Sequence, residues 1–249
     1  ITNPMLRVTD VAAVAQLCQD RDAVLLVDNT FASPAVCRPL ELGATLVMES
    51  VTKIINGHSD VMLGMLCGGA AQPWERIRQV ASTWGFMASP FDCWLASRGL
   101  QTLQLRAEAA CRGAAAVAEF LADRNEIAAV HYPGLSTHPD HLLARRQFGA
   151  LGGSMVTIEL ASDPAEAARA ATVERFILAA AEQGIPFCPS LGEIQTTLSH
   201  PASTSHRGHT AAELEQLGIR STTIRLSIGI EPADQVRAAL GKALAGTCK

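Results

Sequence analysis

The spacing of apolar residues divides the chain into helices and short buried strands. Val11, Val14, Ala15 and Cys18 recur at helical intervals behind Thr9 and Asp10, either of which can cap a helix running to about Asp22. A continuous apolar run, Ala23–Val27, then ends in Asp28-Asn29-Thr30. Such a run predicts a parallel strand covered on both faces, with polar groups delivered at its C-terminal edge. Thr45–Met48, ending in Glu49-Ser50, repeats the pattern, and Val61–Cys67, closed by Gly68-Gly69, predicts a third strand. Strands alternating with helices imply an α/β layer that binds ligands at the carboxyl ends of its strands.

Beyond Pro73 the pattern turns helical: Trp74–Ser82, Pro90 to about Gly99, and a long Ala-rich stretch from Gln101 to Arg124. Further strands are predicted at Ser154–Leu160, Pro186–Cys188 and Thr223–Ile230, with helices at Pro164–Gln183, Ala211–Leu217 and Pro232–Ala245. The expected organisation is part of a large parallel or mixed-sheet domain over 1–103 and a smaller α+β domain over 104–249.

Composition narrows the function classes. A formal charge of −4 without a dense Lys/Arg run excludes a basic nucleic-acid face and favours a small-molecule partner. No apolar run reaches the length of a membrane span, and no basic-then-apolar leader opens the chain. Seven scattered cysteines without a C-x-x-C pair predict reduced thiols, a cytoplasmic protein and no zinc site. The basic residues are 17 Arg and three Lys; Lys242 and Lys249 lie in the C-terminal helix or tail, which leaves Lys53 as the one mid-chain lysine.

Lys53 follows the second predicted strand in Ser50-Val51-Thr52-Lys53. An amine attacks an aldehyde only in its neutral form, which burial favours. The Ser50 and Thr52 hydroxyls can bind a phosphate, and Asp28, one strand earlier, can hold a positive charge on a pyridine nitrogen. Each has a bland alternative. A strand-end lysine is commonly solvent-facing, and a strand-end aspartate commonly caps the next turn.

Longer blocks carry a resemblance. Thr2-Asn3-Pro4, Val27-Asp28-Asn29-Thr30-Phe31-Ala32-Ser33-Pro34, Pro39-Leu40-Glu41-Leu42-Gly43-Ala44 and Ser50-x-Thr52-Lys53-x-x-Asn56-Gly57-His58-Ser59-Asp60-Val61 come in order. Ser89-Pro90-x-Asp92, Arg98-Gly99-Leu100-x-Thr102-Leu103, Ser190-Leu191-Gly192, His200-Pro201-Ala202 and Ile224-Arg225-Leu226-Ser227-Ile228-Gly229-Ile230-Glu231 follow. Together they resemble the cysteine/methionine metabolism family of pyridoxal-phosphate (PLP) enzymes, the trans-sulfuration group. The resemblance implies the aminotransferase-like fold of fold type I, an amino-acid substrate, and γ-elimination or γ-replacement at a C–S or activated homoserine bond. It also implies a homo-oligomer, a tetramer in the family. By position it makes Lys53 the cofactor-bearing lysine and proton acceptor, and sets Asp28 on the pyridine nitrogen, Ser50 and Thr52 on the phosphate, and Thr30 in the pocket wall. Asn3 falls near the cofactor's phenolic oxygen and the substrate carboxylate, and Arg225 clamps that carboxylate with Ser190 beside it.

Two departures qualify the match. Pro189 stands where cystathionine-handling members typically carry glutamate, which tilts the reading away from cystathionine; the segment Trp84–Ala88 also differs and points to no substrate. Family members carry about a third more chain before the Thr-Asn-Pro block, including a ring that stacks on PLP and a Tyr/Arg pair from a neighbouring subunit, whereas the one tyrosine here is Tyr132. The alternative expectation is therefore a truncated or split subunit, silent without a separate N-terminal half. His200, His206 and His209 match no common zinc spacing, and His58 reads as a structural loop residue.

Overall fold

The structure is a computed structural model that describes residues 1–69, 74–161 and 165–247. Pro164, expected at the start of a helix, lies outside the described residues, as do Pro73, Cys248 and Lys249. Two sheets organise the chain. In the first, β1 (Leu26–Asp28) runs parallel to β2 (Leu46–Ser50), and β3 (Gly64–Gly68) pairs antiparallel on its other side, in the order β1-β2-β3. In the second, β4 (Ile127–His131), β5 (Met155–Leu160), β6 (Thr197–Ser199) and β7 (Thr223–Ser227) form an antiparallel sheet ordered β4-β5-β7-β6.

Helix starts follow local chemistry. Asp10 caps α1 (Val11–Gln19) by accepting from the Ala13 N–H at 3.1 Å. Ser89 caps α3 (Pro90–Leu100), with proline at the first helical position, where its missing N–H costs nothing. Between them lies α2 (Trp74–Thr83), which buries none of its residues. A chain of exposed apolar side chains continues from it: Trp84, Phe86, Met87, Phe91 and Trp94.

The long helix α4 (Leu103–Ala122) joins the two halves. Its first turns, through Leu103 and Ala107, pack on Val51, Ile54 and Ile55 beside the lysine turn. Its later turns, through Ala114, Val117, Ala118 and Leu121, join the largest core, with Val156 and Ile158 of β5 and Ile224 and Leu226 of β7. α6 (Glu166–Glu182) and α8 (Ala233–Thr247) close that core through Phe176, Leu240 and Leu244. Because strand side chains alternate, Thr223, Arg225 and Ser227 project to the opposite face of β7.

Several expectations are corrected. β1 is an edge strand with Leu26 53% exposed, so the Ala23–Val27 run is not covered on both faces. The Pro186–Cys188 run forms only a bridge, Phe187 to Leu198, beside the strand that does form there, β6. β4 and α5 (His141–Phe148) were not expected: β4 is a half-buried edge strand rich in alanine, and α5 buries only Ala144 and Phe148.

The ends of β1 and β2 are tied by a buried polar pair. Asn29 Nδ2 donates to Glu49 Oε1 at 2.8 Å and to the Cys37 carbonyl at 2.9 Å, while Glu49 Oε2 is buried without a partner among the described residues. Burial pushes the Glu49 carboxyl up to about 7, against the opposing bond from Asn29, and nearby Asp28 adds to the rise. The folded state thus holds this proton after the unfolded chain has lost it, so stability falls as pH rises from the ordinary glutamate value to about 7. Glu49→Gln keeps an acceptor for Asn29 and removes the titration. Urea midpoints measured from pH 5 to 8 should fall less steeply for the variant through this window; parallel curves would show that Glu49 is already ionised.

Candidate active site

The residues singled out in the sequence fall into two hydrogen-bonded groups that the lysine turn joins. The first follows β1. Asp28 Oδ1 accepts from the Thr30 N–H at 3.0 Å, and Thr30 Oγ1 accepts from the Ser50 N–H at 2.9 Å, which pins the loop after β1 to the end of β2. The second contains the two basic side chains. Lys53 Nζ donates to Ser190 Oγ at 2.7 Å, Arg225 Nη2 donates to the Ser190 carbonyl at 3.0 Å, and Arg225 Nη1 donates to Asn3 Oδ1 at 2.8 Å.

Two contacts close these groups into a ring. The Lys53 N–H donates to the Ser50 carbonyl at 3.0 Å, and the Phe31 ring, next to Thr30, lies 5.6 Å from the Arg225 guanidinium carbon. Thr52 faces elsewhere: its hydroxyl accepts the Leu63 N–H at 2.9 Å and donates to the Leu63 carbonyl at 3.3 Å, bracing the segment that leads into β3. Gly192 has φ +82°, and a Cβ there would meet the Ile54 nitrogen at 2.6 Å, so a side chain would prise the Ser190 segment off the lysine turn.

The electrostatics centre on Arg225. Its residue is 3% exposed, its guanidinium makes no ion pair among the described residues, and its Nε is buried without a partner. Burial pulls its pKa down to about 10, which still leaves the group charged near neutrality. A buried cation without an acid is costly until an anion arrives, and a carboxylate matches the guanidinium fork. Lys53 and Ser190 are half-buried, whereas Asp28 and Asn3 are exposed.

The other candidates have local partners. His58 Nδ1 lies 2.6 Å from the Asn56 carbonyl, and His200 bridges Ser203 Oγ and the Ser221 carbonyl. His206 stacks on His209 with centroids 5.6 Å apart; burial, then the charges of His209 and Arg225, hold it below the usual histidine range. Tyr132 is buried in the second-sheet core and donates to the Gly153 carbonyl at 3.2 Å. Among the described residues, no group of three His, Cys, Asp or Glu could hold a metal ion, and no helix is long and apolar enough to cross a membrane.

Sequence reasoning did not single out Phe31 or Arg106. Phe31 sat unremarked inside a matching block, and Arg106 is one of many arginines, with no spacing that marks it.

Residues 1–245 match the family described as Cys/Met metabolism PLP-dependent enzyme. The chain is 40% identical over 243 residues to cystathionine gamma-lyase of Dictyostelium discoideum, covering 98% of this chain and 60% of that protein. It is 41% identical over 244 residues to cystathionine gamma-synthase of Mycobacterium tuberculosis, with 98% and 60% coverage. Among solved structures, yeast cystathionine gamma-lyase superposes with a TM-score of 0.92 at 38% identity, covering 100% of this chain and 63% of that one. Cystathionine gamma-synthase of Xanthomonas oryzae in complex with cystathionine gives 0.91 at 38% identity, with 99% and 61% coverage. The chain therefore spans about 60% of the length of the curated relatives it matches. Its α/β architecture is that of fold type I PLP enzymes. With the match running through nearly every described element, the chain belongs to the Cys/Met metabolism family of PLP-dependent enzymes.

Proposed function

We propose that these 249 residues are the lysine-bearing part of a trans-sulfuration enzyme that eliminates or replaces a group at a C–S or activated homoserine bond. The observation that carries the reading is a buried, acid-free Arg225 sharing Ser190 with Lys53. That arrangement sets an anion receptor beside an amine, as an α-amino acid requires.

The donor set suits PLP. Lys53 offers an amine to the aldehyde, Asp28 a carboxylate to the pyridine nitrogen, and Ser50 and Thr52 hydroxyls to the phosphate. Thr52 would have to give up its donor bond to the Leu63 carbonyl, the 3.3 Å contact, to donate to a phosphate. When bound, PLP supplies an electron sink for the pair left behind when a proton departs beside the substrate nitrogen. Arg225 binds the substrate carboxylate, and Asn3 holds the guanidinium in plane. Lys53 takes the proton next to the amino group, with its Nζ oriented by Ser190 Oγ, and returns one when the product forms. Thr30 fixes the wall between the Asp28 and Ser50 ends. Pro189 brings no carboxylate, which favours a substrate without a distal amino group, as in methionine-type elimination or replacement on an activated homoserine.

The same reading makes the whole protein a cytoplasmic homotetramer. The exposed apolar chain from Trp84 to Trp94 supports self-association, and the six described cysteines, all free, suit a reducing compartment. A second reading, a subunit silent until a separate polypeptide joins it, is favoured by the open β1 edge with its exposed Leu26.

Arg225→Ala and Arg225→Lys in the whole protein test the receptor. Losing one member of a buried charge pair costs about 30-fold or more. KM for a γ-substituted amino acid should rise by that order in the alanine variant, with partial rescue by lysine and a smaller change in kcat. An unchanged KM would remove Arg225 from the site.

A further inference from the structure

Arg106 sits in the second turn of α4, 8% exposed, with burial holding its guanidinium below the usual range. Among the described residues it makes no ion pair. Its donors go to main-chain oxygens and one hydroxyl instead. Nη1 donates to the Ile54 carbonyl at 2.8 Å, Nη2 to the carbonyls of Ile55 at 2.8 Å and Gly99 at 2.7 Å, and Nε to Thr102 Oγ1 at 3.0 Å. One cation therefore gathers the turn after Lys53, the end of α3 and the start of α4.

We infer that Arg106 is a positioning residue for Lys53: it clamps the carbonyl end of the lysine turn so that the amine can move while its main chain stays still. This inference rests on the role proposed for Lys53. The turn is closed by the Asn56 N–H on the Val51 carbonyl at 3.0 Å and the Gly57 N–H on the Lys53 carbonyl at 2.8 Å. Its carbonyls at Ile54 and Ile55 both accept from Arg106 of α4. The opposite side is held by the Ile194 N–H on the Gly57 carbonyl at 3.1 Å. In contrast to this fixed main chain, the Lys53 side chain is held at its tip by the Ser190 hydroxyl.

Two glycines mark how closely these segments approach. A Cβ on Gly57 would meet Arg106 Nη1 at 2.1 Å, and one on Gly99 would meet the Asn56 carbonyl at 2.7 Å. Both glycines are set by the close approach of the guanidinium and the lysine turn. A lysine ammonium is a point donor at the end of a flexible stem and cannot span the same four acceptors.

Hydrogen exchange on the whole protein, with and without PLP, tests the clamp and separates its failure from a failure to bind the cofactor. In Arg106→Lys, the Asn56 and Gly57 amides should exchange about ten-fold or more faster, while the Leu198 amide of β6 and the Ile228 amide just beyond β7 hold their rates. Thr102→Val, which removes only the Nε acceptor, should loosen the same two amides to a smaller degree, and decides the matter if the first variant does not fold. Lys53 should also be acylated faster by a small amine-reactive activated ester, its alcohol departing as the amide forms, in the looser variants. Turn amides that keep their native rates, or that quicken in step with the second sheet, would overturn the proposal and leave Arg106 a general packing residue.

Discussion

Arg225 carries its charge into the middle of a four-stranded sheet, and much of the site is arranged around that fact. The strand alternation of β7 puts Ile224 and Leu226 into the hydrophobic core and sends Arg225 the other way. Its covering is made of groups that accept hydrogen bonds without neutralising it: a carbonyl from Ser190, an amide oxygen from Asn3, and the face of Phe31. A carboxylate from the chain itself would have satisfied the guanidinium and closed the proposed receptor. The unpartnered Nε shows that this covering stops short of saturation.

The second constraint is rigidity under the lysine. β2 ends at Ser50, and the turn from Val51 to Gly57 must present Lys53 toward Ser190 while its own carbonyls are buried. Helix α4 solves both problems at once. Its apolar residues pack first on the lysine turn and then in the second sheet's core, and its arginine satisfies the carbonyls that the turn leaves open. The lysine half and the arginine half are thereby fixed to a common helix, and a shift in α4 would move both.

Much of the fold was legible where burial is simple. β2 and β7 are buried strands inside their sheets, so their apolar patterns survive unmodified in the sequence. β1 misled, because the same continuous run sits at an edge and leaves Leu26 in solvent. β4 and α5 were invisible because partial burial demands few apolar residues, and alanine in β4 and arginine and glutamine in α5 fill much of the rest. In the site, Lys53 stood out by composition alone, as the one lysine in mid-chain. Arg225 did not; among 17 arginines only its flanking residues distinguished it. Arg106 depends on contacts between segments 52 residues apart, and the bracing of Leu63 by Thr52 on a loop contact, neither of which a local apolar pattern encodes.

The central claim is that Lys53, beside an unneutralised Arg225, is the amine that carries the cofactor. The direct measurement is to add PLP to the purified chain, fix the bound cofactor with borohydride and map the modified peptide. The account predicts modification at Lys53, with the signal lost in Lys53→Ala. A stable adduct on Lys242 or Lys249 in place of Lys53 would contradict it.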